Sequence, residues 1–316
     1  MNSSQFFWLH FGLSLALAPL LMGIITRVKA KVAGRHGKPL LQLYFDIAKG
    51  LRKGEVVSLL TTPVFTLGPV IGLASAICAL SMLPLAGTIS PLSFVGDFLL
   101  VAYLLGLGRF VTMLAALDTG SSFEGMGASR EATFGALAEP VLFFVLLALV
   151  GVAGKIFGQV APGALSLSGM LAGTAEYLWV VHGTGPELWL VPLIFFILLL
   201  VENSRIPVDD PTTHLELTMI HEVMVLDHSG PSLAFIEYGA ALKMWFFSAL
   251  AAAILVPPAL PAWQQSCVWF ACIFVAGVLV GLVESVMARL RMQNVPRLLG
   301  VAGALAALTL VLTQIR

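Results

Sequence analysis

Residues 138–157 form a long apolar run near the middle of the chain and read AEPVLFFVLLALVGVAGKIF. An α-helix rises about 1.5 Å per residue, so a run of this length can cross about 30 Å of hydrocarbon. The apolar residues are continuous and do not alternate with polar ones, which argues against a strand of a membrane β-barrel. The run therefore predicts a transmembrane helix.

The whole chain has the same character. Its 316 residues are 59% hydrophobic and 11% charged, with a mean hydropathy of +0.97, whereas soluble domains carry roughly 25% charged residues. A polar stretch at 165–182 is interpreted as interfacial. We predict an all-α, polytopic membrane protein whose single transmembrane domain, residues 1–316, has about eight transmembrane helices. The spans are expected near 6–26, 64–86, 94–116, 138–157, 187–203, 238–258, 265–288 and 297–314.

The basic residues predict the orientation. Eight of the seventeen lie between residues 27 and 53, and five more lie in the third, fifth and seventh loops. Basic loops stay on the cytoplasmic side of a membrane. We therefore expect both termini on the outer, periplasmic side of a bacterial or archaeal cytoplasmic (inner) membrane. The first apolar run has no preceding basic region or cleavage site, so it is interpreted as a retained span.

Several function classes find no support in the sequence. Seventeen acidic residues cancel the seventeen basic ones, which gives no indication of a nucleic-acid partner. Cys78, Cys267 and Cys272 lie in apolar runs and fit neither a disulfide framework nor a metal-cluster spacing. Three histidines recur every seven residues from position 214, but a metal site is rejected because none follows His221 by four residues. We predict no redox centre and no complete active site in this chain.

The first cytoplasmic loop contains an amphipathic segment at residues 40–53. Gln42, Asp46 and Lys49 fall on one side of the predicted helix, and leucines, Tyr44 and Ile47 fall on the other. This pattern is typical of a helix that lies on a membrane surface. An ordinary amphipathic surface helix would give the same pattern.

Charged residues also occur inside the apolar runs. Arg109, Glu139, Glu202, Lys243 and Glu284 lie within or at the ends of predicted spans. Each charge at the bilayer centre costs about 2.5–3.5 kcal/mol on insertion scales. Such charges either form a track for protons or sodium ions, or hold helices together as ion pairs. Their clustering toward the cytoplasmic side favours the track.

The fifth loop is the densest polar segment. Pro207 and Pro211 interrupt the helix, and irregular backbone at membrane depth survives only where it lines a cavity or is covered by protein. Arg205 lies close in sequence to several carboxylates. We therefore expect a cavity with a wall of paired charges. The carboxylates are Asp209, Asp210 and Glu216.

Four motifs together resemble a known family. The fifth-loop residues resemble the signature loop of the complex I membrane subunit that forms the floor of the quinone site. Segments 117–121, 127–131 and 284–297 look closer to the counterpart in energy-converting membrane-bound [NiFe] hydrogenases of the formate hydrogenlyase type. The motifs are Arg205, Pro207, Asp209, Pro211, Glu216 and Leu217; Gly127, Ala128 and Arg130 followed by Glu139; Arg35, Gly37, Gln42, Asp46 and Lys49; and Asp227, Ser229 and Gly230.

The resemblance implies a non-catalytic subunit that anchors a cytoplasmic redox arm and couples it to proton or sodium translocation. The implied partners are the hydrogenase large and small subunits, an iron–sulfur protein and antiporter-like membrane subunits. No cofactor is expected in this chain, and [NiFe] and iron–sulfur clusters are expected in the partners. From the charges and their placement we predict an ion pathway made of Glu139, Glu202, Arg205, Asp209, Asp210, Glu216, Asp227, Lys243 and Glu284. We predict a quinone-like cavity or docking surface made of Arg35, Gln42, Asp46, Lys49 and Arg130.

The sequence departs from the complex I pattern at three positions. Lys38 separates Gly37 from Pro39, and Thr212 and His214 stand where that family has glutamates. These changes weaken the expectation of a quinone substrate. The alternatives are a quinone-site subunit of a respiratory NADH:quinone oxidoreductase, a pure membrane anchor and a stand-alone secondary transporter. The charged residues are concentrated toward one face of the protein, and no internal repeat is seen. Both observations disfavour the transporter.

Overall fold

The computed structural model describes residues 3–157, 162–181, 186–209 and 219–315. Within these ranges the chain is helical, with no strand beyond one isolated bridge between Leu85 and Thr88. The predicted all-α class is therefore confirmed. The α-helices are α1 (Ser3–Val32), α2 (Gln42–Arg52), α3 (Pro63–Met82), α4 (Asp97–Asp118), α5 (Ser122–Phe157), α6 (Leu167–Glu176), α7 (Leu190–Glu202), α8 (His221–Met224), α9 (Gly230–Leu255), α10 (Ala262–Val286) and α11 (Val295–Ile315).

Seven helical segments of the described chain are long and apolar enough to cross a membrane. They contain α1, α3, α4, α5, α9, α10 and α11, which confirms the multi-pass prediction. The span expected near 187–203 corresponds to α7, whose 13 residues extend only about 20 Å at about 1.5 Å per residue. A count of eight crossings and the side of the termini stay predictions.

Helix α9 lies at the centre of the bundle. It packs against α1, α2, α3, α6, α7 and α10, and its side chains at Trp245, Phe246 and Phe247 are fully buried. The ring of Trp245 meets that of Trp269 on α10 edge to face, with centroids 6.3 Å apart. Lipid tails are as apolar as these side chains, so the hydrophobic effect does not drive membrane helices together. Close packing between side chains holds them together instead.

Helix α1 is hydrogen-bonded to two neighbouring helices near its proline. Pro19 has no backbone N–H, so the carbonyl of Leu15 lacks its helical donor. The Tyr238 hydroxyl of α9 donates a hydrogen bond to that carbonyl at 3.0 Å. The Tyr44 hydroxyl of α2 donates to the neighbouring carbonyl of Ala16. These two hydrogen bonds join α1 to α9 and to α2.

The predicted amphipathic helix is confirmed as α2, and its polar side faces the protein. Gln42 donates a hydrogen bond to Asp46 at 2.9 Å, and both side chains line the large cavity. Leu41 and Phe45 point outward, and Phe45 is 60% exposed. An outward apolar side suits a helix that lies on a membrane surface.

The stretch interpreted as interfacial contains α6, which packs against α5 and α9. Its Ser168 and Thr174 are buried. Asp97 fixes the start of α6 by accepting hydrogen bonds from the Leu167 N–H at 2.5 Å and from the Ser93 hydroxyl at 2.9 Å. Ser168 and Thr174 therefore face the protein interior.

Candidate functional site

Two polar cavities lie side by side in the bundle. The larger, about 320 Å³, is bounded by α1, α2, α9 and residues 203–209. The smaller, about 110 Å³, is bounded by α3, α4, α5 and α9. Both reach the turn that follows α7, where the helix ends at Glu202 and the chain becomes irregular. The sequence predicted this break and a charged cavity beside it.

The larger cavity has a mixed lining. Gln42 and Asp46 come from α2, Arg205 and Asp209 from the irregular segment, and Glu237 from α9. Apolar side chains complete the wall: Met22, Leu43, Val225, Leu233 and Ile236. An apolar pocket with a few converging polar groups is the usual form of a ligand site.

The smaller cavity meets a buried cluster of five charges. Arg109 on α4 contacts Glu139 at 2.9 Å and Glu131 at 3.5 Å, and its other terminal nitrogen contacts Glu202. Lys243 on α9 contacts the second oxygen of Glu202 at 2.9 Å. Three carboxylates thus face two cations, which leaves a formal charge of −1 before any proton is added.

One end of this cluster reaches the outer surface of the bundle. The Glu139 side chain is 50% exposed, whereas those of Arg109 and Glu202 are each 6% exposed. A small cavity of about 40 Å³ beside Tyr103 lies at this exit. Together with the smaller cavity, the cluster forms a charged line from the protein interior to its surface.

Glu284 belongs to a different group. It contacts Lys29 of α1 at 2.9 Å and Arg205 at 3.3 Å, and its side chain is fully buried. Arg205 lines the larger cavity, and Glu284 lines neither of the two cavities. Among the described contacts, Glu284 therefore holds Arg205 in place and does not extend the charged line from Glu202 and Lys243.

Asp209 organises the segment before α9. One of its oxygens contacts Arg289 at 2.9 Å, and the other accepts hydrogen bonds from the N–H groups of Ile220 at 2.8 Å and His221 at 3.4 Å. Arg130 donates to the carbonyl of Met219 at 2.8 Å. These contacts place His221 beside both cavities, and burial lowers the pKa of its imidazole.

The remaining predicted residues are more scattered. Asp210 and Glu216 lie outside the described residues. Asp227 is exposed, and its backbone N–H donates to Glu124 at 3.3 Å. Arg35 and Lys49 are exposed and, like Arg130, line neither of the two cavities. They remain candidates for a docking surface only.

Sequence reasoning missed three members of the site. Arg109 was noted as a charge within a span but received no role, although it contacts three carboxylates. Glu131 lies on α5 and precedes the predicted span in the sequence. His221 was considered only as a metal ligand. Among the described residues no group of three or more His, Cys, Asp or Glu side chains is arranged to hold a metal ion.

Comparison with known proteins identifies the family. The NADH dehydrogenase family model matches residues 5–314. Hydrogenase-4 component C of Escherichia coli K12 is 32% identical over 250 residues, which cover 77% of this chain and 72% of the relative. Formate hydrogenlyase subunit 4 of the same organism is 30% identical over 295 residues, which cover 90% of each chain.

Two further similarities are more distant. A subunit of the NADH-quinone oxidoreductase of Chlorobaculum parvum is 30% identical over 219 residues, which cover 67% of this chain and 56% of the relative. A chain of an archaeal respiratory membrane complex, the membrane-bound sulfane sulfur reductase, superposes with a TM-score of 0.78 and 20% identity, covering 97% of this chain and 99% of that one, which shows a shared fold. The chain therefore belongs to the NADH dehydrogenase family and is homologous to the membrane subunits of hydrogenase-4 and formate hydrogenlyase and to their counterpart in NADH-quinone oxidoreductase.

Proposed function

We propose that this chain anchors the cytoplasmic arm of a membrane-bound hydrogenase and couples its redox reaction to proton or sodium translocation. The homology to formate hydrogenlyase subunit 4 supports the assembly. The observation that carries the coupling is the charged line from the cavities through Glu202 and Arg109 to the half-exposed Glu139. Charged side chains that are buried among membrane helices indicate a functional site.

The arrangement suits proton movement for a physical reason. The charges face one another inside protein, so their burial is compensated by ion pairs. The cluster has a formal charge of −1, so one added proton brings it to zero and leaves no net positive charge in the interior. Glu139 has Arg109 as its ion-pair partner and is open to the surface, so it is the proposed exit group. Lys243 and Glu202 are the proposed inner groups.

The proposed setting follows the orientation of the basic loops. The chain crosses a bacterial or archaeal cytoplasmic (inner) membrane about eight times, with both termini outside. The larger and the smaller cavity lie toward the cytoplasm. Hydrogenase large and small subunits and an iron–sulfur protein dock on that face, where α2 and the exposed Arg35 and Lys49 lie. They carry the [NiFe] and iron–sulfur clusters. Antiporter-like subunits contact the membrane face near Glu139.

The test measures how many ions are moved for each molecule of hydrogen that is formed. Everted membrane vesicles that carry Glu139→Gln or Asp209→Asn are supplied with formate, and proton uptake is followed with a pH-sensitive dye alongside hydrogen evolution. The matched control is Glu176→Gln on α6, which lines neither of the two cavities. Dye-linked hydrogenase activity reports whether the cytoplasmic arm is intact.

We expect both variants to assemble, to keep dye-linked activity and to lose ion uptake, whereas the control keeps it. Loss of the assembled complex in either variant would show a structural role for that residue and contradict the assignment. Purification of a lone, metal-free chain from gently solubilised membranes would contradict the whole proposal and favour a transporter.

A second candidate is a quinone-site subunit. The larger cavity favours it, because about 320 Å³ with a mixed apolar and polar lining is suited to a ring with polar oxygens. A quinone recovered with the purified complex, together with flavin and iron and no nickel, would establish this alternative. Nickel in the purified complex would reject it.

A further inference from the structure

We propose that His221 passes protons between the larger and the smaller cavity and so connects the cytoplasmic cavity to the charged line. This assignment rests on the proposed function above and adds a named relay group to it. The imidazole accepts a proton on one ring nitrogen and releases one from the other, so the residue ends each transfer neutral. No other reactant is consumed.

The position of His221 is the first argument. Of the residues that the structure describes, Asn203, His221, Ile236 and Ala240 line both cavities. Ile236 and Ala240 are apolar, and the amide of Asn203 does not titrate. Among these four, His221 is the only one that can both accept and release a proton near neutral pH.

The polar surroundings of this junction are the second argument. The side-chain amide of Asn203 donates a hydrogen bond to the carbonyl of Leu199 at 2.9 Å. Its side-chain oxygen is buried, and among the described residues no donor contacts it. A buried acceptor without a donor is costly, and a water molecule commonly supplies the missing hydrogen bond. Asn203 therefore provides a place for water where the lining is shared by both cavities, as it is at His221.

The charges around His221 are the third argument. Asp209, Arg205 and Glu222 face it from the larger cavity, and Lys243 faces it from the smaller one. The two carboxylates attract a proton toward the ring from the cytoplasmic side. Lys243 and burial both disfavour a lasting imidazolium. A group that receives a proton but does not keep it is suited to relay.

The backbone holds the ring at this junction. Asp209 accepts the N–H groups of Ile220 and His221, and Arg289 holds Asp209 from the other side. Helix α8 begins at His221, so the residue is positioned before the chain enters α9. The relay group is therefore fixed by the same carboxylate that lines the larger cavity.

The test compares His221→Gln and His221→Asn with His36→Gln, whose histidine is exposed in the first loop. Gln and Asn retain hydrogen bonding but do not titrate. In everted vesicles supplied with formate, we expect proton uptake per hydrogen formed to fall at least about tenfold, since a positioned proton-transfer group contributes about 100-fold or more. Dye-linked hydrogenase activity and complex assembly stay at the control level.

Two further readouts separate a relay from a structural role. Because burial lowers the pKa of His221 from its ordinary value of 6.5, the dependence of uptake on pH loses a limb below that value in both His221 variants, and the control keeps it. Asn203→Asp in the His221→Gln background introduces a new titratable group that lines both cavities, so uptake is partly restored. Loss of assembly in both His221 variants, or restored uptake without a titratable group, would overturn the assignment.

The outcomes also distinguish this inference from the function on which it rests. If Glu139→Gln abolishes uptake and His221→Gln leaves it unchanged, the relay is wrong and the proposed function stands. If neither variant changes uptake in an assembled complex, both proposals fail.

Discussion

Gly135 has no side chain, and the space beside it is occupied by Arg109. We predict that Gly135→Ala disrupts the buried charge cluster. A Cβ atom at this position of α5 would lie 2.9 Å from both the Cδ and the Cζ atoms of Arg109, and closer still to one terminal nitrogen. Real Cβ atoms do not approach other atoms so closely, so the guanidinium must move. Movement should separate it from Glu202, its partner whose side chain is only 6% exposed.

The expected magnitude follows from two opposing effects. Breaking a buried ion pair costs about 3–5 kcal/mol. Alanine is favoured over glycine in a helix by about 1 kcal/mol. The free energy of unfolding should therefore fall by about 2–4 kcal/mol, the difference between the two. That corresponds to a decrease of roughly 3–6 °C in the melting temperature.

The measurement is thermal unfolding of the detergent-purified complex, with Gly125→Ala as the matched control. Gly125 lies on the same helix, and a Cβ atom there would have Leu117 as its nearest neighbour at an ordinary 3.8 Å. The control should be unchanged or slightly more stable. Equal melting temperatures for the two variants would refute the reasoning, because the tight contact at Gly135 would then have no energetic effect.

Two other perturbations test the packing outside the site. Burial lowers the pKa of His228 from 6.5 to about 4, so the unfolded chain binds the proton first as pH falls. Stability is unaffected above pH 6.5 and decreases below it, by about 2 kcal/mol at pH 5. His228→Gln should remove this decrease between melting curves at pH 7 and pH 5, and an unchanged pH dependence would contradict the pKa. Tyr238→Phe removes the donor to the Leu15 carbonyl that Pro19 leaves free, and should lower the free energy of unfolding by about 1–3 kcal/mol. Tyr103→Phe, at a residue 69% exposed, is its control, and equal melting of the two would contradict the role of that bond.

Hydropathy predicted the helices well wherever an apolar run faces outward along its length. At α5 the helix extends beyond the predicted span: the span near 138–157 lies within α5, which begins at Ser122. The early part of α5 packs against α8, and Glu124, Gly127 and Ala128 are buried there. Burial against protein needs no continuous apolar run, so hydropathy gave no indication of these first turns.

The charged residues could be found from the sequence, but their pairing could not. A charge inside an apolar run is visible by itself, and Glu139, Glu202 and Lys243 were identified in this way. Arg109, the common partner of the two glutamates, lies 30 residues from Glu139 and 93 from Glu202. No helical spacing relates residues so far apart. For the same reason the sequence placed Glu284 in the predicted pathway without its partners, which are Arg205, another predicted pathway residue, and Lys29.

The contacts of Glu202 and Glu139 predict different answers to the choice between an ion track and structural ion pairs. Glu202 is held from two sides, by Arg109 and by Lys243, so its removal leaves two buried cations without a shared partner and must affect folding. Glu139 is half exposed and paired with Arg109. Neutralising it leaves Arg109 paired with Glu202 and Glu131, and the cluster becomes electrically balanced, with two carboxylates and two cations. The loss of Glu139 should therefore change ion movement with little effect on stability, which makes Glu139→Gln a sharper probe of transport than any change at Glu202.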